Sequence, residues 1–515
     1  MTSVWNLLSL FIIWFLKLGI AGVALLVTVV WICRWRAHWI RSRQQRRRNR
    51  RDQIWAFFHP HCSGGGGGER VLWKALEVLG TYNGGNTNSN RNNKKEDNTF
   101  VYHPPEVLIY TIDPPTPHYA ANLLRDAQER FDIQISDKLK IQFVHLHEYK
   151  HLLAPSPRLS LIVESLGALR LAWHGLQQSA ARGQWPHVFW DTTGCAFTFL
   201  PASLLFGCRI VAYVHYPTIS TDMLQMVWQR RRAAYNHSAA IASSRAQTAL
   251  KMVYYMAFAA LYGLVGSLAT LVMVNSTWTY RHIAFLWKLP AWTPGALRIV
   301  YPPCAVQDLQ SLVETPSHLR QAAILSIGQF RPEKDHVLQI QALQRLLEQH
   351  PELKTSTTKE KVKLVLLGSC RNDDDRKRLT HLQVMARDND LEEHVEFCVN
   401  QPYRQVRHWL GCARVGIHTM WNEHFGIGIV EMMAAGLLVV AHNSGGPQTD
   451  ILTDHATGFL AATVDEYADA LYKALTMPND QAIAMQKAAQ KSSQRFSDQA
   501  FAYSFQQALE QAKIL

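Results

Sequence analysis

Cysteine is scarce and scattered in this chain: eight residues in 515, at positions 33, 62, 195, 208, 304, 370, 398 and 412. There is no CxxC pair and no Cys/His cluster at ligand spacing. That argues against a disulfide framework and against a zinc site, and suits reduced thiols in a cytosol-facing protein. Acidic residues are also short, 40 against 53 Lys and Arg, giving a formal net charge of +13. The excess is local, however, because nine arginines fall between Arg34 and Arg51. Outside that block the chain is only mildly basic, so a chain-wide nucleic-acid footprint is missing. Charge is almost absent from two stretches: 5–33 carries only Lys17, and 249–276 carries only Lys251.

The first of these stretches is long enough to cross a hydrocarbon core of about 30 Å as a helix. A cleaved signal peptide fits less well, since the apolar run is long and the basic residues follow it. The arginine block directly after the span predicts a lumenal N-terminus and a cytosolic remainder, and the same arginines suit anionic headgroups. Residues 1–52 are therefore read as a transmembrane helix and a basic collar.

Beyond the collar the chain alternates short apolar runs with helical patterns, the mark of parallel sheets covered by helices. Strands are predicted at 106–113, 141–146, 187–191 and 209–215, with helices at 117–130 and 160–176. The glycine run at 64–68 leads into an amphipathic helix and reads as a backbone that approaches something closely. The polar stretch 82–99 (YNGGNTNSNRNNKKEDNT) cannot bury a core and is expected to be a disordered insertion. Residues 249–270 read as a helix packed on the domain or lying in the membrane interface, followed by a core strand. His215 ends a strand, where ligands of parallel sheets bind. The matches to the glycosylation pattern at Asn236 and Asn275 are expected to stay unmodified on the cytosolic side.

After an interdomain passage at 299–303 the alternation restarts. Strands are predicted at 323–328, 363–368, 394–399, 413–419 and 437–442, and helices at 334–348, 374–388, 403–410 and 428–435. The result is two α/β domains, 53–298 and 299–515, facing across a cleft. Three strand-end loops of the second domain hold candidate ligand groups. In GQFRPEKDH, Arg331 and Lys334 suit a phosphate. In NEHFGIGIVE, Glu423 and Glu431 flank a helix start whose amides, at Phe425, Gly426 and Ile427, can cradle an anion. The turn NSGGP at 443–447 offers further amides. Two carboxylates for hydroxyls and an amide cradle for phosphates would suit a nucleotide sugar. The triplet Asp373–Asp375 contains DxD but reads as a solvated helix start.

These stretches carry a resemblance. The second domain resembles the donor domain of retaining GT-B glycosyltransferases of family four. FFHPHCSGGGGGERVLW, AYVHYPTISTDM, VMVNSTWTYRHI and NEHFGIGIVEMMAAG are similar to the dolichol-pathway GDP-mannose α-1,2-mannosyltransferases. The resemblance covers the chain from Trp55 onward, apart from 82–99.

It implies two Rossmann-like domains, the first for acceptor and the second for donor. It implies two successive α-1,2 mannosyl transfers, with retention, onto trimannosyl-chitobiosyl diphosphodolichol at the cytosolic face of the endoplasmic reticulum. Arg331 and Lys334 would meet the GDP diphosphate. Glu423, with the amides of Phe425, Gly426 and Ile427, would meet the mannose, Glu431 the ribose and Asn400 the guanine. His215 would lie near the reacting sugar, and Gly67 and Gly68 would let the first domain approach donor or acceptor. Glu423 is assigned to positioning and charge stabilisation, not to covalent attack. No metal and no cofactor is expected. Membrane lipids and other mannosyltransferases of the pathway are the implied partners. One departure stands out: Asp335 follows Lys334 where the family commonly has Asn. The competing readings are another GT-B nucleotide-sugar enzyme with a different acceptor, and a non-catalytic membrane scaffold.

Overall fold

The structure, a computed structural model, describes residues 27–43, 53–82, 102–156, 159–229, 245–312, 320–354 and 361–515. Most of the expected span, most of the polar insertion and the Asn236 site lie outside the described residues.

Two sheets, parallel throughout, organise the chain. The first has seven strands in the order β3-β2-β1-β4-β5-β6-β7. These are β1 (Ile54–Phe58), β2 (Glu106–Thr111), β3 (Ile141–His145), β4 (Val188–Asp191), β5 (Arg209–Val214), β6 (Leu271–Val274) and β7 (Leu297–Ile299). The second has six, in the order β10-β9-β8-β11-β12-β13. Its strands are β8 (Gln321–Ile327), β9 (Lys363–Gly368), β10 (Val395–Val399), β11 (Ala413–His418), β12 (Leu438–His442) and β13 (Phe459–Ala461). Central strands such as β1, β4 and β12 are buried along their whole length. Helices cover both faces of each sheet, so these strands read as continuous apolar runs without alternation.

In each sheet the chain starts in the middle and winds outward both ways. The direction of winding switches between β1 and β4 in one sheet and between β8 and β11 in the other. The crevices that accept ligands open at such switch points, beyond the carboxyl ends of the strands.

β7 completes the first sheet, and the passage between domains follows it. One feature departs from the expected division at 299: the last helix, Asp498–Gln511, returns to the first domain. There Phe501, Phe505, Ala508 and Leu509 join the core beneath β1 and β4. Phe505 stacks on Trp190 at 5.4 Å, and Trp190 stacks on Phe57 at 5.0 Å. Arg70, buried on the helix Gly67–Thr81, ties the return by donating to both carboxylate oxygens of Asp498, at 3.0 and 3.1 Å, and to the Pro303 carbonyl at 2.9 Å.

Of the N-terminal segment, residues 27–43 form a helix. The Arg41 guanidinium donates to the carbonyls of Pro186 and Gly207, each at 3.1 Å, and ties this helix to the first domain. The helix Arg245–Gly266 is long and apolar enough to cross a membrane. It packs on the first domain through Tyr255, Phe258, Tyr262 and Val265, and leaves Leu250, Val253, Met256 and Leu264 exposed. Asn275 is buried, donating to the His215 carbonyl and accepting from the Thr279 hydroxyl.

Candidate active site

A cleft of about 610 Å³ lies between the sheets, over both switch points. His59 and Pro60 follow β1, Thr192 and Thr193 follow β4, and His215 and Tyr216 follow β5. From the other side come Ile327 at the end of β8, His418 at the end of β11, and the loop 423–428. The volume is within the usual range for a small-molecule site.

Glu423 is the electrostatic centre. Its carboxylate lies 2.6 Å from Lys334 Nζ and 3.1 Å from His418 Nε2, and accepts from the His424 amide at 3.1 Å. Burial alone would raise its pKa, but Lys334, His418 and His424 outweigh that and hold the group well below the ordinary carboxylate range. Lys334 is held in turn, because Thr419 Oγ1 donates to its carbonyl at 2.8 Å. Asp335 sits at a left-handed φ of 47° and caps the helix His336–Gln349 by accepting from the Leu338 amide. Asp and Asn both tolerate that conformation and both cap helices, so the departure at Asp335 keeps the loop's geometry. Arg331 lines the cleft half-exposed, with Nε 3.0 Å from Glu333 Oε1.

The helix Ile427–Ala434 points its start into the cleft. Gly426 is its cap, at a φ of 109° that favours glycine, and the first-turn amides have no partner within the helix. Across the cleft, the start of the helix Gly67–Thr81 faces it. A Cβ on Gly67 would come within 2.7 Å of Ile427 Cδ1, and one on Gly68 within 3.7 Å of His215 Nε2. His215 is half-buried, with Nε2 shielded from solvent and unpartnered, and desolvation pushes its pKa down to about 4. It therefore stands neutral, with an unsatisfied ring nitrogen in the cleft.

The cleft thus gathers Gly67, Gly68, His215, Arg331, Lys334, Glu423, Phe425, Gly426 and Ile427. Glu431 and Asn400 are not among its lining residues. Glu431 lies one turn into the helix, where burial raises its pKa and Arg70 opposes the rise. Asn400 sits at a φ of 51° after β10, and its side chain accepts from the Cys370 amide at 3.0 Å. The NSGGP turn is not an anion cradle either. The amides of Asn443, Ser444 and Gly446 donate to the carbonyls of Ala461, His442 and Glu423. A Cβ on Gly446 would strike His424 O and Phe425 Cα at 2.7 Å. The turn is a buttress beneath the Glu423 loop. In the acidic triplet, Asp373 and Asp374 are exposed, but Asp375 is buried and paired with Arg371.

Sequence reasoning missed a group on the first-domain wall. His59 Nδ1 lies 2.7 Å from Thr192 Oγ1, and its Nε2 lies 3.7 Å from Glu69 Oε1. Glu69 closes the glycine run by accepting from the Gly66 amide at 2.7 Å. Asp191, fully buried, shapes the turn before His59's partner loop by accepting from the Thr193 and Gly194 amides and the Thr198 hydroxyl. The signal was present in the strand-end triplet Asp191-Thr192-Thr193 and in His59, next to residues already singled out.

Two doubly wound domains with a polar, cation-bearing cleft at both switch points define the class, a GT-B glycosyltransferase. The solved structures agree in fold. Anabaena Alr3699/HepE in complex with UDP-glucose matches with a TM-score of 0.57 at 14% identity, over 89% of this chain and 99% of that one. Sucrose-phosphate synthase from Thermosynechococcus elongatus matches with a TM-score of 0.60 at 16% identity, over 89% and 98%.

The sequence comparisons are narrower. Residues 52–287 match the family described as ALG11 mannosyltransferase N-terminus, and residues 313–492 match glycosyl transferases group 1. Curated relatives named GDP-Man:Man(3)GlcNAc(2)-PP-Dol alpha-1,2-mannosyltransferase include the Mus musculus protein, 39% identical over 96% of this chain and 94% of its own length. The Homo sapiens protein is 40% identical over 88% and 86%, and the Dictyostelium discoideum protein 39% identical over 87% and 83%. The chain belongs to this family of mannosyltransferases.

Proposed function

We propose that the chain transfers mannose from GDP-mannose in α-1,2 linkage onto the trimannosyl-chitobiosyl diphosphodolichol intermediate, twice in succession and with retention of configuration. The observation that carries this reading is the single cleft over both switch points. One wall presents Arg331, Lys334, Glu423 and a helix start, and the other presents His215 and the glycine loop. The names of relatives that span nearly the whole chain support the choice of donor and acceptor.

In this reading the donor diphosphate enters between Arg331, Lys334 and the amides of Phe425, Gly426 and Ile427. Lys334 then exchanges part of its contact with Glu423 for phosphate oxygens, and the released carboxylate oxygen takes mannose hydroxyls. Departure of GDP leaves negative charge on the diphosphate, which the basic pair and helix dipole stabilise. The acceptor hydroxyl attacks from the face the diphosphate leaves, and its proton passes to a diphosphate oxygen. His215, neutral and with a free ring nitrogen, holds a hydroxyl of the reacting mannose. The positive charge comes from side chains, so the reaction calls for no divalent metal. Glu431 and Asn400 belong to the ribose and guanine ends of the donor, beyond the cavity now lined. The chain is placed at the endoplasmic reticulum membrane, anchored by 5–33 with its catalytic domains cytosolic.

The test supplies purified full-length protein with GDP-mannose or UDP-sugars, and with lipid-linked or soluble acceptors. Mannose transfer from GDP-mannose to the lipid-linked trimannosyl acceptor is the expected result. Transfer only to soluble acceptors, only from UDP-sugars, or none at all, would overturn it.

A further inference from the structure

The loop that carries Glu423 is gripped from the opposite domain. Asn422, next to Glu423, donates from Nδ2 to Asp222 Oδ2 at 2.7 Å. His424, on the other side, lies between Tyr216 at 5.4 Å and Trp278 at 5.0 Å between ring centroids. Asp222, Tyr216 and Trp278 all belong to the first domain, and the loop belongs to the second.

Asp222 is itself firmly placed. It stands in the first turn of the helix Thr221–Trp228, which Ser220 caps by accepting from the Met223 amide. A carboxylate is favoured there by the helix dipole. Asp222 Oδ2 also accepts from Trp278 Nε1 at 3.3 Å and faces His282 Nε2 at 3.6 Å. Burial would raise its pKa, but His282, Trp278 and Asn422 together hold the carboxyl below the ordinary range. Asn422 sits at a left-handed φ of 50°, a conformation asparagine tolerates. Its own domain holds its backbone, through the amide donating to Ser444 Oγ at 2.8 Å.

We infer that Asp222 is a positioning residue: from the first domain it holds, through Asn422, the loop that aims Glu423 into the cleft. The contact spans two domains, so it forms only when they are together. Closure and the placement of Glu423 are therefore coupled. The inference rests on the mannosyltransferase reading for its kinetic readout alone.

A double-mutant cycle on the full-length protein tests it. Asp222→Ala removes the acceptor. Asn422→Gly removes the donor while keeping the left-handed backbone. Each is expected to lower kcat about tenfold, as for loss of a hydrogen bond to a charged group, with little change in KM for GDP-mannose. The double variant is expected to be no worse than the weaker single, because both remove one interaction. Additive losses, or losses carried entirely by KM, overturn the inference. Should Asp222→Ala not fold, Asp222→Leu, which keeps the shape of the side chain but has no acceptor, takes its place in the same cycle. A second readout is independent of turnover: amide hydrogen exchange over 421–426 is expected to accelerate in Asp222→Ala, and unchanged exchange overturns the inference. A wild-type protein without mannosyl transfer would refute the functional reading, and the exchange measurement would still decide this one.

Discussion

Lys334 Nζ lies 2.6 Å from Glu423 Oε2, so the two residues most expected to handle the donor first hold each other. Both side chains are largely shielded from water, and the pair keeps a buried carboxylate ionised. The pairing also poses Lys334 at the place where a diphosphate would compete for it.

Lys334→Ala leaves Glu423 with the His418 imidazole, whose pKa burial lowers, as its nearest side-chain partner. Breaking such a pair from one side costs about 3 kcal/mol, measurable by denaturant unfolding at pH 7. The Glu423 carboxyl also loses what most depresses its pKa. The acid limb of the kcat/KM profile is therefore expected to move to higher pH. In the wild type, the stability supplied by this depressed carboxyl is fully present above its unfolded pKa and is lost as pH falls through the lower folded value.

Four histidines, His187, His215, His336 and His442, have pKa values pushed down to about 4, each primarily by burial. Between about pH 4 and the ordinary histidine value near 6.5 the unfolded chain binds more protons than the folded one. Folding stability is therefore expected to rise with pH across that window and to level off above it. Melting temperatures at pH 5 and pH 7 check the sign. His215→Gln should flatten the slope while lowering mannosyl transfer.

Glycines near the cleft are not equivalent. Gly446→Ala forces a methyl into His424 O and Phe425 Cα, and is expected to displace the Glu423 loop and cut transfer severely. Gly68→Ala meets only ordinary contact with His215, and should fold normally with a smaller loss. Thermal melts and initial rates for the two variants give the comparison.

Phe505 is distant in sequence from the first domain yet fully buried in its core. Phe505→Ala is expected to destabilise the protein by about 3–5 kcal/mol, and the exchange protection lost should map to β1 and β4, not to the second sheet.

Both parallel sheets and most strand ends were legible in the sequence, because strands buried on two faces leave apolar runs that end in polar loops. Arg331, Lys334, Glu423 and the 425–427 helix start were legible for the same reason, being fixed by local strand-loop-helix grammar. The short strands β7 and β13 gave no such signal, and β1 was hidden inside a stretch read for its glycine run. What local patterns cannot convey is contact across the chain. The return of the last helix depends on Arg70 meeting Asp498, far apart in sequence. The NSGGP turn looked like an anion site, but the amides of Asn443, Ser444 and Gly446 are taken by carbonyls on β13, β12 and the Glu423 loop. The His59–Thr192–Glu69 group likewise exists only once β1 and β4 lie side by side.

The most direct test of the account is the product formed by purified protein from GDP-mannose and a lipid-linked trimannosyl-chitobiose. Mass spectrometry of the released oligosaccharide is expected to show one and then two added hexoses, both removed by an α-1,2-specific mannosidase, with Glu423→Ala forming neither. A product resistant to that enzyme, or full activity in Glu423→Ala, would contradict it.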